Sequence, residues 1–495
     1  RSAGDYAAHR VRIETTEAVR QQARHLAATR GMPVGEIDRV LASASATTAE
    51  TTLPATRSMG AAEVEALGQL YELSLEGASR RRGGSHYTTA AVAAQIAEAG
   101  LAPLFADAEK APRALETTVC DPSMGGGACL LAAARWLAAK AVELGEATNE
   151  RDALKRIAPN VFGVDVDPAA AAIAQVSLWL EVGDAESSID SWATRLRVGD
   201  GLAKAGDARF DVMLGNPPWV SYVGRAAQPL EEEVRQRYAK DFAAFAGYRN
   251  LQGLFLERAA SQLRPGGRMA FLVPSSMSEQ VGYAPTRGAV AKYVEADDEM
   301  ADVGEDAFVG VVQPCMIFAG TARGAAPRTS ATWRVHRTDL DAVGRELLER
   351  LCALPPLPAA LFGERGVQTS GADAADMADQ PDARRDWPLL SGTDIGAFRC
   401  GDPVRFADRS RFAKRFQEMR WSDVAFVVRQ TAMFPIAAHA RGHAFRNSLL
   451  AGFRTAGDDG DWSTDFLVGW LNSSPIRWLH FHRFRDARQG LPQVK

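Results

Sequence analysis

Asn216-Pro217-Pro218-Trp219 follows a short hydrophobic run, Phe210 to Leu214, and one glycine. Two successive prolines fix φ twice and remove two backbone N–H donors. The residue before each proline is pushed towards an extended shape. The expected result is a stiff corner at a strand end, presenting one amide side chain, carbonyls outside any helix and one large aromatic face. Those groups suit an exocyclic amino group of a purine or pyrimidine. The Asn216 side-chain oxygen would accept one of its hydrogens and the Pro217 carbonyl the other, aiming the nitrogen lone pair at an electrophile. Trp219 would stack on the base, an interaction worth roughly 1–3 kcal/mol. The alternative at these four residues is a rigid turn with a buried Trp, because Asn-Pro commonly opens turns.

Three acids recur at predicted strand ends upstream. Asp121-Pro122-Ser123-Met124-Gly125-Gly126-Gly127 follows the short strand Thr118 to Cys120 and precedes an apolar helix, Ala128 to about Leu144. Glycines there let the backbone approach a ligand, and the helix N-terminus offers unpaired N–H groups. No Lys-Ser/Thr follows, which excludes a nucleotide-hydrolysing phosphate loop. The second strand, Asn160 to Asp165, ends on an acid placed to bind ribose hydroxyls. Val166 follows it, and Asp167-Pro168 reads as cap and first residue of an Ala-rich helix. A third strand, Leu196 to Val198, ends in Gly199-Asp200-Gly201, where Asp200 could accept from an adenine amino group of a cofactor. A fourth delivers Asn216.

Strands alternating with helices predict an α/β fold with a mostly parallel twisted sheet and helices on both faces. Helices are expected over Thr15–Arg30, Ala61–Gly77, Ala90–Leu104 and Leu251–Leu263, with Thr88 or Thr89 capping the third. Ser43 to Thr56 reads as a linker. The stretch from Trp219 to Arg249 looks charged and mobile, and Arg264-Pro-Gly-Gly267 reads as a loop before a strand over Arg268–Val273. A last strand pair is expected near Asp306–Val309 and Cys315–Phe318. Residues 320–345 form a boundary, and later segments read as short strands.

At 495 residues the chain exceeds one typical domain. Three are expected: a helical N-terminal segment and linker (1–60), a catalytic domain (61–335) and a mixed α+β domain (345–495). No run approaches the roughly 18 apolar residues of a membrane span. No signal-peptide pattern is seen, and five scattered cysteines form no C-x-x-C pair. A reducing cytoplasm, no metal and no membrane are therefore expected. Arg1 in place of Met reads as a processed or trimmed start. Net charge is −4, but Arg399 to Lys495 holds 16 Lys and Arg against 9 Asp and Glu, so that end is +7 and the remainder −11. Such asymmetry suggests a polyanion-binding end. Arg429, Arg441, Arg446, Arg477, Arg483 and Arg485 are candidate DNA contacts. The interleaved Arg477-Trp-Leu-His-Phe-His-Arg-Phe-Arg485 reads as phosphate contacts or as a helix with a buried aromatic side.

This order of signals resembles the N6-adenine DNA methyltransferases of bacterial restriction-modification and phage-defence systems, in the branch with a C-terminal target-recognition domain. The resemblance covers roughly residues 61–495. Leu67-Gly-x-Leu-Tyr-Glu72 with Gly84-Ser-His-Tyr-Thr-Thr89 looks like the family segment around the methionine part of S-adenosylmethionine, which implicates Tyr87 and Thr88. Asp121 to Leu130 resembles the family's cofactor loop, D-P-A-C-G-S-G-A-F-L. It implicates Asp121, Pro122, Ser123, Gly125 and Gly127. By the same resemblance Asp165 and Val166 meet the ribose, Asp200 and Gly201 the cofactor's adenine, and Asn216 to Trp219 form the catalytic tetrad. Phe308 is similar in placement to an aromatic that holds the flipped base. Gly366 to Gly371, Pro388 to Asp394 and Leu471 to Ile476 look like the recognition domain. Gly126, Cys129 and Thr89 stand where Ser, Phe and Pro are usual. Cys129 is expected to loosen adenosine packing. The chain stops at Lys495 where relatives generally continue, which leaves a truncated recognition domain open.

The resemblance implies a Rossmann-like S-adenosylmethionine-dependent core and site-specific methylation of adenine N6 in double-stranded DNA by base flipping. It also implies restriction or defence-system proteins as partners. Two rivals remain at this level: a methyltransferase acting on RNA or on protein glutamine, and a DNA-binding specificity subunit with a degenerate core. No nuclease core is found in residues 1–60, so cleavage is expected from a partner or from outside this chain.

Overall fold

The computed structural model describes residues 17–44, 64, 67–69, 88–203, 206, 208–223, 227–304, 313–323, 333–336, 340–369, 376–430, 432–453 and 463–483. The chain divides into two units, Arg1–His336 and Arg337–Lys495.

The first unit is built on an eight-stranded sheet. Its strands are β1 (Val119–Asp121), β2 (Val161–Asp165), β3 (Leu196–Val198), β4 (Phe210–Gly215), β5 (Leu263–Pro274), β6 (Val294–Ala296), β7 (Ala301–Gly304) and β8 (Cys315–Ala322). They lie in the order β3-β2-β1-β4-β5-β8-β6, with β7 also on β8. Strands β1 to β5 run parallel and β8 runs antiparallel to β5. Strand order reverses between β1 and β4, and a doubly wound sheet opens its ligand crevice at such a reversal.

The strands are buried on both faces by alternation. Val119, Val212, Leu214, Ala270, Leu272 and Ile317 join one apolar cluster, whereas Cys120, Met213, Phe271 and Phe318 join another. The first cluster is completed by α1 (Glu17–Thr29), α2 (Val34–Ala44), α3 (Ala90–Leu101), α4 (Ala128–Glu143), α5 (Glu150–Ile157) and α6 (Pro168–Val182). Local chemistry sets the ends of α6. Asp167 caps it by accepting from the Ala169 amide, Pro168 occupies its first turn, and Gly183 closes it at φ 64°.

Several expectations differ from the structure. The expected N-terminal helix is present as α1, but with α2 it shares the first core rather than standing as a separate segment, and Arg30 donates to the Leu180 carbonyl of α6. The described part of the stretch after Trp219, expected as charged and mobile, holds regular structure. It contains α7 (Glu232–Asp241), and Tyr238, Phe242 and Phe245 pack with Val220, Leu254 and Phe255. Its charged residues masked a sparse set of aromatics that form a small core. The helix after it, α8 (Leu251–Ser261), is capped by Asn250. Arg264 to Gly267 is a bulge inside β5: Phe210 pairs with Leu263, then Val212 with Arg268. Strand β8 takes β6 and β7 end to end on its outer edge. The strand expected at Asp306–Val309, the linker from residue 45 and most of the helix at 61–77 lie outside the described residues.

In the second unit, one four-stranded sheet contains Trp387–Leu390 and Arg405–Ala407, and another contains Phe426–Arg429, Ala437–His439 and Leu449–Gly452. Trp421, Phe445, Phe412 and Leu389 lie in its core. The helix Ser474–Arg483 spans most of the basic-aromatic segment.

Candidate active site

Asn216 leaves the end of β4 one strand away from Asp121, the last residue of β1. Gly215 is required between them. A Cβ on it would lie 2.5 Å from Asp121 Oδ1, so any side chain would collide with the carboxylate. Asn216 is half-buried and held on both sides of its amide. Its Nδ2–H donates to Thr88 Oγ1 at 3.1 Å, and its Oδ1 accepts from the Trp219 indole N–H at 3.0 Å. Thr88 is buried at the entrance to α3, which Thr89 caps. Pro217 is buried, and Pro218 and Trp219 are half-buried. The Pro218 carbonyl accepts from the Val220 amide, which locks the corner.

The loop after β1 wraps a buried carboxylate. Asp121 is 1% exposed and accepts from the Ser123 amide at 2.9 Å. Burial raises its pKa to about 7, and the nearby Asp165 carboxylate adds to the rise against the Ser123 bond. Asp165 is oriented by two backbone donors, Gly125 N–H and Asp167 N–H, each at 2.9 Å. Gly125 adopts φ 51° and faces open space, while Gly127 at φ 89° caps α4 against Ala174. Val166 is 66% exposed directly after the second acid, an apolar side chain left bare at the strand end. Asp200 is half-buried and accepts from the Leu202 amide at 2.9 Å. Gly201 sits so tightly on the Pro122 carbonyl that a Cβ would lie 1.9 Å from its oxygen.

Residues 159–295 match the Eco57I restriction-modification methylase family. That segment contains Asp165, Asp200 and Asn216. A type II methyltransferase, M.TthHB8I of Thermus thermophilus, is 30% identical over 146 residues, covering 29% of this chain and 29% of its own length. The type II methyltransferase M.PaeR7I of Pseudomonas aeruginosa is 26% identical over 267 residues, covering 52% and 44%. The adenine-specific methyltransferase PglX of Streptomyces coelicolor is 23% identical over 278 residues, covering 47% and 23%. The chain spans less than half the length of each of these relatives. Among solved structures, the type IIL restriction-modification enzyme MmeI in complex with DNA aligns at a TM-score of 0.50 and 15% identity, over 80% of this chain and 66% of that one. At that identity the likeness is one of fold, and the methylase family match and methyltransferase relatives imply S-adenosylmethionine as the cofactor.

The residues present fit that cofactor. A buried carboxyl whose pKa is lifted to about 7 beside a second acid is a site that a positive ligand relieves. Asp165 offers a fixed acceptor to ribose hydroxyls, Val166 a bare apolar contact, and Gly125 room for close approach. Asp121, Pro122, Ser123, Gly125, Gly127, Asp165, Val166, Asp200, Gly201 and Thr88 would therefore hold it. Tyr87 and Phe308 lie outside the described residues.

The arginines foreseen for DNA all fall in the second unit. Arg441 is exposed beside Asp402 at 3.4 Å, and Arg483 is exposed at the end of its helix. Arg429 and Arg477 are half-buried, and Arg477 lies over the Phe434 ring at 4.7 Å. Arg446 donates through Nε to Thr369 at 2.6 Å, and burial lowers its pKa. Arg485 lies outside the described residues. Two features escaped the sequence reading. The Trp219–Asn216–Thr88 clamp joins residues 128 positions apart, and no short-range signal pointed to it. Arg268 is buried, paired with Asp297, and donates to the Ala99 carbonyl of α3. A lone Arg opening a strand gave no such sign.

Proposed function

We propose that the chain methylates the N6 amino group of adenine in a specific double-stranded DNA sequence, in a restriction-modification or phage-defence setting. The clamped Asn216 carries this reading. The Trp219 N–H and the Thr88 bond hold the Asn216 amide at both ends, so its oxygen is a positioned acceptor. It would accept one hydrogen of the target amino group, and the Pro217 carbonyl would accept the second. S-adenosylmethionine supplies an electrophilic methyl group. Asn216 then stabilises the amine as it becomes cationic, and holding two reactants in line accounts for about 7–11 kcal/mol of barrier. Extruding the base costs a few kcal/mol, which the half-exposed Trp219 ring offsets by stacking. The name of PglX supports adenine as the base, and the MmeI complex supports DNA as the substrate. The second unit, with its exposed arginines, is the proposed target-recognition domain, and restriction or defence proteins are the proposed partners.

Labelled methyl transfer to unmethylated bacterial DNA tests this, with Asn216→Ala alongside. N6-methyladenine is expected from the unmutated protein only, while the variant still binds S-adenosylmethionine by calorimetry. Normal turnover by the variant would overturn the tetrad, and label in cytosine, RNA or protein would overturn the substrate.

A further inference from the structure

The sheet face that carries Cys120, Phe271 and Phe318 is covered by α8 over its β4–β5 side. Towards β3 the same face opens into a cavity of about 410 Å³. The chain passes from β3 to β4 in a short connection, residues 199–209, with no helix among its described residues. The cavity floor is therefore bare strand. Cys120, Phe162 and Phe210 form it, and the two Phe rings lie 5.4 Å apart, tilted and half-buried.

Four guanidinium groups line this apolar floor: Arg195, Arg197, Arg209 and Arg264. Among the described residues Arg264 is the one of the four paired with a carboxylate, donating to Asp211 at 2.7 Å, while Arg209 donates to the Ala208 carbonyl. Arg195 is half-buried over the Trp192 ring at 5.0 Å, and its Nε is buried with no hydrogen-bond partner among the described residues. Arg197 and Arg209 are exposed. Asp200 is the one acid among the described lining residues, and it is engaged by the Leu202 amide. Like charges lining one cavity repel one another, and a bound anion offsets that repulsion. A buried donor without a partner carries a desolvation cost that a ligand oxygen would remove. The volume falls in the range of small-molecule sites.

We propose that this cavity binds a nucleotide, with phosphate oxygens on Arg195, Arg197 and Arg209 and the base against Phe162 and Phe210. Guanidinium forks match phosphate oxygens in pairs, and an aromatic pair accepts any base face. The ligand is distinct from the methyl donor. Pro122, Asp200 and Gly201, which would hold the methyl donor, also line this cavity, and the tight Gly201–Pro122 contact forms its wall towards the loop around Asp121. The site stands whether or not Asn216 transfers methyl. The nucleotide comes either free from solution or as one residue of a nucleic-acid strand.

Calorimetry on the full chain at low salt separates these, using adenosine triphosphate, a short single-stranded oligonucleotide and inorganic pyrophosphate as probes. Either nucleotide probe is expected to bind in the presence of saturating S-adenosylmethionine. Arg197→Ala and Arg209→Ala, both at exposed positions, should weaken that binding by roughly tenfold each and leave S-adenosylmethionine affinity unchanged. Binding of triphosphate assigns a free nucleotide, and binding of the oligonucleotide alone assigns a strand. Phe162→Leu should weaken both nucleotide probes but not pyrophosphate. No binding of either nucleotide probe, displacement by S-adenosylmethionine, or affinity unaffected by both arginine substitutions would overturn the proposal.

Discussion

Replacing Asp121 by Asn should stabilise the ligand-free protein at pH 8 and abolish cofactor binding. Asp121 is 1% exposed, and its carboxyl is lifted from its ordinary 3.8 to about 7 by burial, with Asp165 adding repulsion. The unfolded chain therefore gives up this proton first. Stability falls as pH rises from about 4 to about 7 and then stays level, with the ionised side chain costing about 4 kcal/mol. Asn is of the same shape and keeps an acceptor for the Ser123 amide. That bond becomes a neutral one, at a loss of about 1 kcal/mol. The net gain is about 3 kcal/mol at pH 8 and falls to about 0.6 kcal/mol at pH 5, where the unfolded carboxyl is already largely ionised. Urea unfolding of parent and variant at both pH values measures it, following the transition of the unit that holds β1. A difference between the two proteins that is equal at pH 5 and pH 8 would refute the buried-charge argument. The same carboxylate gives the parent a pH-dependent affinity: S-adenosylmethionine should bind more weakly as pH falls below about 7, because protonation removes the charge that meets the positive ligand.

Trp219→Phe keeps an aromatic face but removes the N–H on Asn216 Oδ1, so kcat should fall by roughly tenfold with KM little changed; steady-state kinetics that show a rise in KM alone would place the effect in base stacking instead. Gly201→Ala would drive a Cβ to 1.9 Å from the Pro122 carbonyl oxygen, and the forced backbone shift should cost about 2 kcal/mol in urea unfolding together with a loss of cofactor affinity. Arg268→Met removes the buried partner of Asp297 and the bond to the Ala99 carbonyl, for about 3 kcal/mol; adding Asp297→Asn should recover part of that loss, measured as a double-mutant cycle.

The strand ends were legible because their chemistry is local. Asp167-Pro168 announces a helix start within two residues, and Gly-Asn-Pro-Pro announces a stiff stop, so β1, β2 and β4, and the helices after the first two, could be placed from short-range rules. The Asn216 amide was legible as an acceptor for the same reason, but its clamp was not. Thr88 reaches it across 128 residues, and no local rule pairs a helix-entry Thr with a strand-end Asn. The small core around Tyr238, Phe242 and Phe245 was missed because those aromatics are diluted among Glu, Arg and Lys. The bulge at Arg264–Gly267 was missed because Pro-Gly-Gly signals a turn whether or not the residues on either side share one strand.

One feature of the sequence links the methyl-transfer site to the arginine-lined cavity. In a doubly wound sheet each parallel crossover usually carries a helix that covers a face. Here only eleven residues, 199–209, separate β3 from β4, too few for a helix of ordinary length and its turns. The short crossover brings Asp200 back beneath Pro122 and delivers Asn216 beside Asp121 without a helix between them. It also leaves Phe162 and Phe210 uncovered on the face below. A helix inserted there to cover the two rings would have to pass the Gly201–Pro122 contact, where there is no room for even a methyl group. The geometry that fixes Asp200 at the cofactor loop is therefore the same geometry that keeps the cavity open, and filling the cavity from within the chain would displace Asp200.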